Sequence, residues 1–344
     1  MTVSKHLLRV PFTCNTLPET AKTQRNQAEG KSVAETERRK SRSWTAFGQN
    51  RLRRRIPLSI YAVLIIALLL IVLSQSMQAS AGAIDISPAV ARSGLDPSAS
   101  TVLVTRLSDG QMWVSNVRRT SDRFSPASTS KIPHTLIALE TGTVGQDTVF
   151  DWDGQRRWLD AWNQDHTLQT AFRDSAVWVF QEIVTRIGSP DMADWLDRLG
   201  YGNADIGSEA HLTSYWLDGT LQISAQEQIG FLSRLVQRQL PLSPNTYSAA
   251  ENIMLSKAGE GWSLYGKTGW RHSKDIMDIG WYVGWLRCAD DHYVFALNMD
   301  MPDASQRHLR KSSMIAVLTD LGAFECARSG QVNLFAPVVS AVKD

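Results

Sequence analysis

Ser128 and Lys131 stand three residues apart in the stretch Pro126-Ala127-Ser128-Thr129-Ser130-Lys131-Ile132-Pro133. On a helix that spacing puts both side chains on one face, where a lysine-derived base can take the hydroxyl proton and leave a nucleophilic oxygen. Taken alone, S-x-x-K is four common residues, and the plain alternative is an ordinary helix start. Pro126 and the Ser/Thr cluster mark that start, Pro133 fits a first turn that has no intrahelical N–H to lose, and Gly142 can close the helix. Apolar Ile132, Leu136, Ile137 and Leu139 cover most of its circumference, which places it in a core. Burial matters for the chemistry. A solvated lysine is neutral in only about one molecule in 2,500 at pH 7, so Lys131 becomes a base only if desolvation lowers its pKa by about 3.4 units.

The elements that must position this pair follow from hydropathy and turn signals. Val102-Leu103-Val104, Ser108-Asp109-Gly110 and Met112-Trp113-Val114 read as strand, turn and strand ahead of the Ser128 helix. Asp165 is expected to cap a helix carrying Leu168 and Phe172, which continues from Ser175 to Ile187 and stops at Gly188. Ser189-Pro190 opens another helix that ends near Gly200, and Ser224 to Glu227 forms a capping-box start for one reaching about Leu235. Strand character returns at Ser263 to Thr268, Ile279 to Cys288 and His292 to Met299, and an amphipathic helix from about Arg310 to Ala327 closes the pattern. The fold class is therefore α/β: an antiparallel sheet built from both chain ends, flanked by helices, with an inserted all-helical subdomain.

Charge separates the chain into parts. Of its 344 residues, the first 55 carry thirteen Lys/Arg against four Glu, and the rest is net −7 although the whole is +2. An acidic folded part argues against nucleic acid as its ligand, since a phosphate-binding domain needs a basic face. Residues 1–50 are polar and read as a disordered extension or a misassigned start. Residues 51–81 join a basic flank, an uncharged run from Ile56 to Leu73 and Ala79-Ser80-Ala81, the marks of a secretory signal or, uncleaved, of an inner-membrane anchor. Either way residues 82–344 are exported to the periplasm, and the membrane is met only through 56–73. The histidines and cysteines show no metal-ligand spacing, so no metal is expected. Cys288 and Cys326 are expected to pair, because a helix running back along the last strand returns its end to the hairpin that holds Cys288.

Four more clusters, Ser175-Ala176-Val177, Tyr201-Gly202-Asn203, Trp216-Leu217-Asp218-Gly219 and Lys267-Thr268-Gly269-Trp270, each have a structural explanation when taken singly. In this order and at these separations, with Ser128 and Lys131, they resemble the class D (oxacillinase-type) serine β-lactamases of the penicillin-recognising superfamily. The likeness runs from about residue 98 to 322. It implies Ser128 as nucleophile, the backbone N–H groups of Ser128 and Trp270 as oxyanion hole, and Ser175 with Lys267 as a proton relay to the departing nitrogen. It also implies that Thr268 and Arg310 bind the substrate carboxylate, that Gly269, Val177 and Leu217 line the substrate site, and that the Trp216 indole supports a Lys131 carboxylated by carbon dioxide or bicarbonate. The substrate is then a small β-lactam. An alternative is a membrane-tethered sensor domain that is acylated and barely deacylates; a D,D-peptidase is disfavoured because that family has Asn where Val177 stands. One departure stands out: the family usually has Phe at Ser130, so Ser130 is expected to leave Lys131 wetter unless Trp178 or Phe180 fills the gap.

Overall fold

A computed structural model describes residues 82–326; the expected extension at 1–50 and the signal or anchor at 51–81, with its periplasmic destination, lie outside the described residues. Strand pairing starts from alternation. In β2 (Ser100–Arg106), β8 (Asp278–Cys288) and β9 (Asp291–Met301), successive residues point to opposite faces. Leu103, Trp281, Val283, Val294 and Ala296 enter one apolar cluster, while Val102, Val104, Tyr282, Phe295 and Leu297 enter the other. Both faces of the sheet are therefore covered.

Seven strands lie in the order β1-β3-β2-β9-β8-β7-β6, where β1 is Ile84–Asp85, β3 is Met112–Val114, β6 is Leu255–Gly259 and β7 is Trp262–Arg271. Both chain ends contribute, as the sequence predicts. The sheet is mixed, however, since β1 runs parallel to β3 while the other pairs are antiparallel. The face carrying Val102 is covered by α1 (Ser87–Arg92) and α9 (Leu309–Asp320). The opposite face meets α2 (Lys131–Glu140), α3 (Leu168–Asp174), α4 (Val177–Ile187), α5 (Ser189–Leu199), α6 (Tyr215–Asp218), α7 (Ala225–Val236) and α8 (Pro244–Met254). This inserted part is not all-helical: β4 (Val149–Phe150) and β5 (His166–Thr167) form a second, two-stranded sheet.

Several local expectations change for identifiable reasons. Asp165 does not cap α3, because its carboxylate accepts from the Trp152 N–H at 2.7 Å; Thr167 is the cap, in a reciprocal capping box with Thr170. The helix expected from Ser175 onward is broken there, since Ser175 takes the left-handed conformation (φ 59°) that ends α3, and α4 begins at Val177. Helix α8 and strand β6 were not expected at all, although Ser243 with Pro244 at the first turn is a start signal of the Ser189-Pro190 kind. The last helix ends at Asp320, shorter than expected, because Gly322 at φ 66° turns the chain.

That turn still delivers Cys326 to Cys288, and the two form a disulfide with their Cα atoms 5.1 Å apart across 38 residues. Closing a loop of this length restricts the unfolded chain and stabilises the fold by about 2–4 kcal/mol. Cys288→Ser is expected to lower the unfolding free energy by that amount in non-reducing denaturant titrations, and the difference from wild type should vanish when both are reduced.

Candidate active site

The turn that presents Ser128 is held against its own preference. Ala127, the residue before it, sits at φ 47°, a left-handed conformation that costs a residue with a Cβ about 1–2 kcal/mol. Its neighbours over-determine it. The Trp281 indole donates to Ser125 O at 3.0 Å, the Ser125 hydroxyl donates to Trp216 O at 2.8 Å, and the Thr129 and Ser130 hydroxyls donate to Pro126 O and Ala127 O. Residues 127–130 form a 3-10 turn and α2 begins only at Lys131, so the serine lies one turn before the α-helix proper. Ser128 is half-buried, with its backbone N–H in the first turn, where donors lack intrahelical acceptors.

Lys131 lies wholly inside, and its Nζ donates to Ser128 Oγ at 3.1 Å. Desolvation alone lowers its pKa to about 7. The Nζ stands 5.0 Å from the centre of the Phe180 ring, and Phe180 belongs to α4. Of the two aromatics expected to wall the lysine, Phe180 packs against it, while Trp178 packs on His166 and Arg157. Ser130 does not wet the pocket. It is fully buried and its hydroxyl is committed to Ala127 O at 2.7 Å. His134, one turn on from Lys131, supplies a further ring that sequence reasoning missed.

Lys267 and Ser175 meet because two irregularities coincide. The left-handed Ser175 turns its hydroxyl to accept from Lys267 Nζ, which also donates to Thr268 O at 3.1 Å. Lys267 is buried, and desolvation, reinforced by the charges of Lys131, Arg310 and Lys311, lowers its pKa far below the usual lysine value. Gly269 lets β7 approach the nucleophile turn, since a Cβ there would lie 2.7 Å from Pro126 O. Arg310 donates from Nη1 to Gly269 O at 2.7 Å, and burial lowers its pKa to about 10. Among the described residues no carboxylate pairs with Lys131, Lys267 or Arg310. Arg310, protonated at neutral pH and without an ion-pair partner among the described residues, favours an anionic ligand here.

The remaining expected residues divide into lining and support. Val177 is the first residue of α4 and Leu217 sits on α6; both are half-buried. Trp216 is wholly buried and its indole N–H has no partner among the described residues. Tyr201 is structural: its hydroxyl and Thr129 Oγ1 both accept from the Gln228 amide, at 3.2 and 3.0 Å, which braces the nucleophile turn from behind. Gly202 at φ 58° has no room for a side chain, because a Cβ would fall 2.1 Å from Gln222 O. Trp270 donates to Asp278 at 2.8 Å and meets the exposed Trp158 edge to face at 6.2 Å, an aromatic contact with no signal in the local sequence. Among the described residues no cluster could hold a metal ion. Because Ser130 is itself fully buried and Phe180 already packs against Lys131, Ser130→Phe is expected to overpack the site and cost about 1–3 kcal/mol in denaturant titrations, not to improve it.

The comparisons with known proteins agree with this geometry. The penicillin binding protein transpeptidase domain matches residues 96–318. The β-lactamase OXA-48 of Klebsiella pneumoniae is 41% identical over 209 residues, 60% of this chain and 78% of that protein. The β-lactamase OXA-2 of Salmonella typhimurium is 38% identical over 220 residues, 63% and 78% of the two chains. A solved class D β-lactamase, YbXI from Nostoc, superposes with a TM-score of 0.66 at 34% identity, covering 70% of this chain and 99% of that one. With its sheet topology and the family model over most of the described residues, the chain belongs to the class D β-lactamases of the penicillin-binding transpeptidase superfamily.

Proposed function

We propose that this enzyme opens penicillins and related β-lactams through an acyl ester on Ser128, and that the exported domain thereby protects its host from these antibiotics in the periplasm. The observation that carries the reading is a wholly buried Lys131 whose Nζ lies 3.1 Å from a solvent-reachable Ser128 Oγ. Ser128 Oγ attacks the lactam carbonyl carbon while its proton leaves toward Lys131, and the developing oxyanion is received by the backbone N–H groups of Ser128 and Trp270. As the C–N bond breaks, the ring nitrogen takes a proton through Ser175 and Lys267, which are already hydrogen-bonded. Thr268 and Arg310 hold the substrate carboxylate, with Gly269 of β7 lining the same site and its carbonyl accepting from the Arg310 guanidinium. Water then hydrolyses the ester beside Leu217, and Val177 keeps the pocket apolar.

Lys131 at a pKa of about 7 is roughly half neutral at pH 7, against about one molecule in 2,500 for a solvated lysine. Carboxylation of that neutral amine by carbon dioxide would supply a carboxylate base at the same place. The residues fit it: the buried Trp216 N–H has no acceptor among the described residues, and a carbamate oxygen is one. A protonated amine cannot be carboxylated, so the active fraction falls as pH drops through the lysine pKa.

Two outcomes test this reading. Ser128→Ala is expected to abolish both turnover of a chromogenic cephalosporin and the penicillin adduct seen by mass spectrometry; an adduct that persists elsewhere rejects the assignment, and a wild-type burst that stops at one equivalent indicates a sensor in place of a hydrolase. Turnover should decline below about pH 7 and recover with added bicarbonate, with a carbon-13 carbamate signal on Lys131. Indifference to bicarbonate at pH 6 together with no such signal makes the free amine the base.

A further inference from the structure

The lysine pocket contains a second titratable side chain to which the hydrolysis assigns no part. His134 follows Lys131 by three residues on α2, so the two leave neighbouring parts of one helix face. Its ring is wholly buried, edge to face with Trp216 at 4.9 Å and with Tyr215 at 5.6 Å, and 6.3 Å from Phe180, the ring beneath Lys131 Nζ. Burial and the neighbouring Lys131 lower its pKa to about 3, so the imidazole is neutral. A neutral imidazole carries one N–H, and the hydrogen-bond network assigns it.

Nε2 lies 2.7 Å from the Tyr215 hydroxyl. If Nε2 were the donor, the buried phenol O–H and the Nδ1 lone pair would both go unanswered. With the phenol donating, Nε2 is satisfied and only Nδ1–H is left over, so the proton belongs on Nδ1. Nδ1 has no partner among the described residues, and neither has Nε1 of Trp216, whose ring it touches. Unanswered buried donors are rare, and two on adjoining rings are what a shared anionic acceptor would satisfy.

We propose that His134 is a positioning residue of the lysine site, its Nδ1–H, fixed by Tyr215, donating with the Trp216 indole to a carboxylated Lys131. The inference rests on the carboxylation reading above. In that step the neutral Lys131 nitrogen forms a bond to the carbon of carbon dioxide, the amine proton passes to buffer, and an anionic carbamate results. His134 would raise the affinity of the pocket for this anion without touching substrate.

The test uses the full chain, stripped of carbon dioxide at acid pH and titrated with carbon-13 bicarbonate, with the carbamate signal as readout. His134→Gln keeps a partner for Tyr215 and loses the Nδ1 donor, whereas His134→Asn places an amide nitrogen near the Nδ1 position. Half-saturating bicarbonate is expected to rise about ten- to hundredfold in His134→Gln, as for one lost hydrogen bond to a charged group, and to stay within about threefold of wild type in His134→Asn. Tyr215→Phe, which removes only the oxygen that fixes the tautomer, should shift it in the same direction and carries the test if His134→Gln does not fold. Wild-type affinity in both His134→Gln and Tyr215→Phe overturns the role of His134 while leaving carboxylation standing. A wild-type chain that shows no carbamate at saturating bicarbonate overturns both.

Discussion

An amine taken out of water without a counter-charge is the constraint on which the rest of this site depends. Lys131 is wholly buried against Phe180 from α4 and the 3-10 turn of its own chain, and the His134 ring packs in turn on Phe180 and Trp216. Remove any wall and water re-enters, the ammonium form is restored, and the residue ceases to be a base at neutral pH. The helical insertion therefore does more than cover one face of the sheet. It supplies the dry walls that turn a serine and a lysine three residues apart into a reactive pair.

Dryness has to be combined with access, because the hydroxyl that reacts must still meet substrate. The backbone solves this by placing residues in an unfavoured conformation at two points: Ala127 before the nucleophile and Ser175 between two helices. Each is held by packing and hydrogen bonds from distant segments, such as Trp281 to Ser125 and Lys267 to Ser175. Strain of this kind persists only where the surrounding structure over-determines it, which ties the geometry of the site to the stability of the whole domain.

The electrostatics carry the same logic outward. The domain is acidic overall, yet Lys267 of β7 and Arg310, which donates to Gly269 O, meet at the site with no carboxylate in ion-pair contact among the described residues, although the Asp174 charge acts on Lys267. Local and net charge thus have opposite signs. A small anion is drawn to the cleft, while the acidic exterior disfavours polyanions.

How much of this could be read beforehand depends on the range of each signal. The Ser128–Lys131 spacing, the Ser224–Glu227 capping box and the alternation of β2, β8 and β9 are local patterns with local causes, and the structure keeps them. The Cys288–Cys326 pairing was legible from the helix running back along the last strand, but its final approach was not, because the helix stops at Asp320 and the Gly322 turn brings Cys326 in. The parallel β1–β3 edge, the break at Ser175 and the replacement of an expected Phe by Phe180 and His134 were not, because each is decided by a partner far away in sequence. Ser130 shows the difference most directly. Its type alone indicated a wet pocket, but its hydroxyl closes the local 3-10 turn on Ala127 O, and the ring that packs against Lys131 is Phe180, which only the tertiary structure brings there. Sequence by itself determined which groups can react; the fold decided their solvation, because burial is a property of everything packed around a side chain and not of the side chain itself.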